Sequence, residues 1–223
     1  MVYVPAGTFT MGSRFNYKEP AHEVYLDAFW IDQTEVTNAR YRLCVDEGVC
    51  LWPSHSDSEI REKYYDNPEF DDYPVAGVTW FEAQTHCEWA NKRLPTEAEW
   101  EKAARGTDER LYPWGDDIDC SRLNCCQCVG DATRVGSHPS GASPYGCLDM
   151  AGNVHEWVAD WLDRDYYGRS PRENPQGPDS GTYRVVRGGS WWQVDFFALT
   201  VHRDGARPGQ QGQGFRCASS SGF

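Results

Sequence analysis

Residues 92–106 read KRLPTEAEWEKAARG. Pro95 stops what precedes it, and Thr96 with Glu99 has the S/T-x-x-E spacing of a capping box, so a helix begins at 97. Trp100, Ala103 and Ala104 face inward at helical spacing until Gly106 closes the helix at the C′ position. Upstream, Thr79 and Glu82 repeat the box, and Trp80, Ala83, Cys87 and Ala90 form one apolar stripe. Thr37 can cap an earlier helix carrying Tyr41, Cys44 and Val45, which Gly48 ends. Two strands are expected at 2–11, loosely alternating around Gly7, and at 22–31, where HEVYLDAFWI sets Val24, Leu26 and Ala28 on one face. From 107 to 182 turn chemistry dominates (PWGDD, SHPSGASPYG, SPRENPQGPDSG), interrupted by an apolar segment from Val154 to Trp161. Strand character returns at Tyr183 to Val186, breaks at Gly188-Gly189, resumes at Ser190 to Trp192 and closes at Gly214 to Ala218. Short helices on an irregular antiparallel sheet, with long loops between, predict an α+β fold.

At 223 residues the chain reads as a single domain, 1–223. Asp plus Glu outnumber Lys plus Arg by 34 to 21, a formal charge of −13, which argues against nucleic acid or an anionic membrane surface as partner. The pairs Asp71-Asp72 and Asp116-Asp117 read as a solvated face. Mean hydropathy is −0.70, yet there are 10 Trp, 12 Tyr and 9 Phe, so the core must be built largely from rings. No apolar run suits membrane insertion, and MVYVPAGTFTMGS lacks the order of a signal peptide. The expectation is a soluble chain, cytoplasmic by default or associated with a phage or cell surface, with a flexible tail at 219–223.

Eight stretches carry a family resemblance: VPAGTFTMGS (4–13), DQTEVTNARY (32–41), YPVAGVTWFEA (73–83), KRLPTEAEWEKAARG (92–106), YPWGD (112–116), DMAGNVHEW (149–157), RVVRGGSW (184–191) and GFRCA (214–218). In this order they resemble the formylglycine-generating enzyme, or sulfatase-modifying-factor, family, which implies a C-type lectin-like fold. In the family's enzymes two cysteines shortly after GGS bind copper and activate oxygen. The corresponding positions here are Gln193 and Ala198, and neither can ligate Cu(I) as a thiolate does, so no copper is expected. The tryptophan of the family's GN-x-W-E-W motif aligns with His155. A related branch holds iron in an additional N-terminal helical domain, and this chain starts at the first lectin-like strand.

Between RGGS and GFRC lies WWQVDFFALTVHRDGARPGQQGQ, residues 191–213. Trp191, Trp192, Gln193, Val194, Asp195, Phe196, Phe197, Leu199, Val201, His202 and Asp204 are the candidate ligand-binding residues, because rings interleaved with polar groups have the composition of a binding hot spot. Neighbours on a strand face opposite ways, so one of each aromatic pair should be exposed. The placement resembles the variable proteins of diversity-generating retroelements, whose C-terminal segment is rewritten on a fixed lectin-like scaffold. That implies a non-catalytic display of a binding surface for a protein or other macromolecule. CVDEGVC (44–50) and GFRCA also resemble modules fused to bacterial protein kinases, which implies a sensory or interaction role; an enzyme with a different metal centre near His155 or His202 is the other alternative.

Asp149, Asn153 and Glu156 offer oxygen ligands for a structural calcium that the resemblance supports, with local turn capping as the competing reading. A second calcium would fall near Asn124 and Asp131. Cys120, Cys125, Cys126 and Cys128 could hold zinc, form local disulfides or stay free, their spacing lacking paired C-x2-C knuckles. Cys44 and Cys50 could be bridged in an oxidising compartment, and nine cysteines leave at least one unpaired.

Overall fold

The computed structural model describes residues 1–14, 19–53, 58, 60–126 and 128–222. The two expected N-terminal strands are four: β1 (Val2–Val4), β2 (Gly7–Met11), β3 (His22–Leu26) and β4 (Phe29–Ile31). Pro5 cannot donate to a ladder, and the break at Asp27-Ala28 lets the chain turn from β3, paired with β2, to β4, paired with β1. Three helices follow as expected: α1 (Asn38–Asp46), α2 (Trp80–Trp89) and α3 (Glu97–Arg105). Thr37 caps α1, and both capping boxes, Thr79/Glu82 and Thr96/Glu99, are closed from both sides.

After the long loop region come β5 (Glu156–Trp161), β6 (Arg184–Arg187), β7 (Asp204–Ala206), β8 (Gly214–Phe215) and β9 (Ala218–Ser219). They build a sheet of order β7-β6-β5-β8, while β9 joins β1 and β4. The expected strand at Ser190 to Trp192 is absent. Gly188 and Gly189 both take positive φ, and the Gln193 N–H turns back to the Ser190 carbonyl, so the chain reverses. The tail begins later than expected, because Ser219 pairs with Trp30 in β9; Phe223 lies outside the described residues.

Rings do fill the core. Trp100 and Trp157 are fully buried and Trp80 nearly so, and each indole N–H finds an acceptor: Glu156, the Val78 carbonyl and the Val158 carbonyl respectively. Helix α3 departs from a one-faced helix, since all nine of its residues are buried, Glu97, Glu99, Glu101, Lys102 and Arg105 included. Buried charge demands partners. Glu101 accepts from Gly12 N–H, Arg105 and Arg187; Glu97 accepts from Arg203; Lys102 donates to the Pro5 and Gly7 carbonyls. The Cys44–Cys50 bridge is formed, and a second, Cys87–Cys217, ties α2 to the C-terminal strands.

Candidate binding site

The segment after β6 is set by that strand's last residue. Arg187 is fully buried, 2.5 Å from Glu101 and 3.4 Å from Glu97. Its guanidinium also donates to the carbonyls of Thr200 (2.8 Å), Val201 (3.2 Å) and His202 (2.8 Å). Five fixed donors suit this task, which Lys could not perform. Arg203 locks the far end with a two-pronged bond to Glu97 (2.8 and 2.5 Å). At the near end the Trp191 N–H donates to the Asn153 carbonyl, and the Gln193 carbonyl accepts from Cys126 N–H. Gly189 is required here: at φ +68 a Cβ would stand 2.8 Å from the Phe197 carbonyl group.

Between these anchors the chain makes a turn and a short 3-10 helix, Asp195–Ala198, rather than a strand. Its exposed crest carries Trp192, Val194 and Phe196, each more than half exposed at 56%, 57% and 52%. Trp191, Asp195 and Phe197 are half-buried; Gln193 is buried, with Ser190 Oγ 3.3 Å from its Oε1. Phe196, Leu199, Val201 and His202 come together with Ser13, Glu19 and Leu111 around a cavity of about 370 Å³. Phe196, Phe197 and His202 form an edge-on ring cluster with centroids 4.8 to 5.9 Å apart. The wall is mainly apolar. Among the described residues of the wall the one carboxyl is that of Glu19, whose pKa burial raises against the pull of Arg187 and Arg203. Beyond Asp204 the segment leaves this surface: 204–206 form β7, the Pro208 carbonyl receives Trp80 N–H at the start of α2, and Gln213 is buried.

His155, which the resemblance aligns with the motif tryptophan, is buried, and its Nδ1 has no hydrogen-bond partner. Burial lowers its pKa, and burial with the neighbouring Arg187 lowers that of His202 to about 4. Both rings are therefore neutral at pH 7. Asp204 is near enough to oppose both shifts. Gln193 and Ala198, which the resemblance sets at the copper-cysteine positions, are both buried.

The three expected calcium ligands do not form an oxygen cage. Asp149 Oδ2 accepts from Gly136 N–H (2.6 Å) and Asn153 Oδ1 from Thr133 N–H (2.8 Å), bonds that tie loop segments 13 and 20 residues apart rather than cap local turns. Glu156 points into the core, where Arg216 holds both its oxygens at 2.7 Å and the Trp100 indole adds a third bond. As they stand these residues do not fit calcium. At the second position Arg61 sits 2.7 Å from Asp131 Oδ2, and Asn124 Oδ1 is buried without a hydrogen-bond partner. In the cysteine loop the sulfurs approach pairwise, Cys125 to Cys126 at 2.8 Å and Cys120 to Cys128 at 3.2 Å, all four as free thiols.

The sequence reading missed Arg187, Arg203, Glu97 and Glu101 as the site's supports. Their one signal was two arginines and two glutamates at positions otherwise bounded by core residues.

Residues 1–221 match the family described as sulfatase-modifying factor enzyme 1-like domain. The chain is 41% identical over 235 residues to the serine/threonine-protein kinase pkn1 of Chlamydia caviae, covering 98% of this chain and 37% of that protein. It thus spans little more than a third of that relative. Identity to the formylglycine-generating enzyme of Streptomyces coelicolor is 32% over 284 residues, covering 99% and 89% respectively. Treponema denticola variable protein 1 superposes with a TM-score of 0.81 at 23% identity, over 99% of this chain and 95% of that one, a likeness of fold alone. The lectin-like α+β architecture expected from the resemblance is therefore present. With its eight stretches in order and a match along almost its whole length, the chain belongs to the sulfatase-modifying factor enzyme 1-like domain family.

Proposed function

We propose that this chain is a non-catalytic binding domain presenting the crest at 191–204 to a protein or other macromolecular ligand. The observation that carries this reading is the crest itself: Trp192, Val194 and Phe196 are exposed at every second position on a backbone clamped by buried Arg187 and Arg203. Preorganised aromatic anchors limit the entropy lost on binding, and the cavity beside Phe196 has room for one inserted side chain. With Gln193 and Ala198 at the copper positions, the family's thiolate chemistry lacks its ligands at this place. The acidic balance of −13 disfavours a nucleic-acid ligand. Among the described residues no helix is long and apolar enough to cross a membrane.

The test is panning of a random peptide display library on the wild-type chain and on the Trp192→Ala/Val194→Ala/Phe196→Ala variant. Peptides enriched on the first and lost on the second support the crest as the binding face; equal enrichment on both refutes it. Retroelement diversification of the same segment is tested by sequencing the gene across its source population. Substitutions should concentrate in codons 191–213, and an even spread removes that part of the reading. A second reading draws on the identity to kinase pkn1 over 98% of this chain: the same surface would serve as the interaction module of a kinase-containing protein. A kinase domain encoded in the same reading frame distinguishes it.

A further inference from the structure

Away from the crest, at the junction of α1 and α2, one trio of side chains converges. Cys44, Cys50 and His86 are buried, and one ligand atom from each lies within 4.8 Å of the other two; among the described residues no other trio of His, Cys, Asp or Glu does so. In the oxidised chain the sulfurs form the Cys44–Cys50 disulfide. His86 stacks on Tyr41 (5.3 Å) and meets Phe215 edge-on (5.4 Å), and its Nδ1 is buried with no hydrogen-bond partner. Leaving a buried polar atom unpaired is costly, and neither a disulfide sulfur nor a ring face offsets that.

We propose that opening of Cys44–Cys50 by a dithiol reductant creates a zinc(II) site from the two cysteine sulfurs and a His86 ring nitrogen. The dithiol delivers two electrons and two protons to the disulfide, leaving two thiols here and a disulfide in the reductant. Zinc then displaces both thiol protons to solvent and binds two thiolates and a neutral imidazole. Sulfur and imidazole are the donors zinc prefers, and three protein ligands leave a fourth position for water. Two sulfurs on a tetrahedral zinc with bonds of about 2.3 Å sit roughly 3.8 Å apart, so the bonded sulfurs must separate on reduction before both can ligate. A dication with two thiolates is electrically neutral, which makes burial among Tyr41, Tyr65, Trp80 and Phe215 tolerable. The knuckle keeps the sulfurs together after reduction, because Val49 N–H and Cys50 N–H both donate to the Cys44 carbonyl around Gly48 at φ 74. The same corner of the fold is then held either by a disulfide or by a metal.

The experiment uses the full chain with the exposed thiols removed (Cys120→Ser, Cys126→Ser, Cys128→Ser), reduced with dithiol, freed of reductant under nitrogen and titrated with zinc against a chromophoric chelator. One zinc per reduced chain and none per oxidised chain are expected. Cys44→Ser and His86→Gln should each weaken zinc by more than the roughly 10–100-fold that loss of a supporting group produces. Cys87→Ser should retain it, which separates this site from the neighbouring Cys87–Cys217 pair. Circular dichroism of each reduced variant checks folding, and cobalt(II) in place of zinc reports thiolate ligation by its charge-transfer absorption. A folded reduced chain that takes up no zinc overturns the assignment, as does uptake unchanged by Cys44→Ser or His86→Gln. None of these readouts depends on the crest, so a failure here leaves the binding reading untouched.

Discussion

Replacing Arg187 with Met tests the whole account of how the crest is held. The substitution keeps much of the side-chain volume but removes a buried charge that bonds Glu101 at 2.5 Å and three carbonyls, those of Thr200, Val201 and His202. Removing one partner of a buried ion pair typically costs about 3–5 kcal/mol. The carboxylates are not wholly stranded, since Glu97 keeps Arg203 and Glu101 keeps Arg105 (3.1 Å) and Gly12 N–H, which places the expectation near the lower end of that range. Each carbonyl left without a donor adds to it. The control is Arg172→Met, whose ion pair with Glu23 has side chains 67% and 55% exposed and should cost no more than about 1 kcal/mol. Urea unfolding at pH 7, read as a shift in midpoint at unchanged slope, measures both. Limited proteolysis should cut the Arg187→Met variant faster within 191–204. If Arg187→Met costs no more than the Arg172 control, the buried clamp is not what positions the crest.

Asp160 is fully buried and its pKa is raised from 3.8 to about 8, first by burial and then by Glu97. The folded state therefore holds a proton that the unfolded state has released, and stability falls as pH rises from about 4 to 8. Asp160→Asn should flatten that fall, gaining urea stability over wild type at pH 9 and little at pH 4; an equal difference at both values refutes the shift. Gly189→Ala should lose about 2 kcal/mol or more, combining a positive φ with a Cβ 2.8 Å from Phe197 backbone. Gly48→Ala, at φ +74 with nothing within 4 Å, should cost only about 1 kcal/mol, and thermal melts compare the two. Because Glu156 is taken by Arg216 and Asp131 by Arg61, millimolar calcium or a chelator should leave the melting temperature unchanged; a rise with calcium would reinstate the cage.

What depends on neighbours along the chain was legible in the sequence. Both capping boxes work over three residues, so the starts of α2 and α3 could be placed from Thr79/Glu82 and Thr96/Glu99 alone. The Cys44–Cys50 bridge spans six residues around a glycine turn and could likewise be anticipated. The exposure of Trp192 and Phe196 matched the alternation argument, although the backbone there is a turn and a 3-10 helix rather than the strand that argument assumed. Tertiary structure decided the rest. Helix α3 reads as one-faced until β2, β3, β5 and Arg187 close over its charges; Glu101 and Arg187 are 86 residues apart, and Cys87 and Cys217 are 130 apart. Glu156 sits in a stretch that reads as a calcium loop, yet its carboxylate belongs to Arg216, 60 residues on. Local hydrogen bonds follow from spacing, whereas the partner of a buried charge depends on which distant element the fold brings beside it, and here Glu101 and Glu97 hold the arginines that fix the exposed crest.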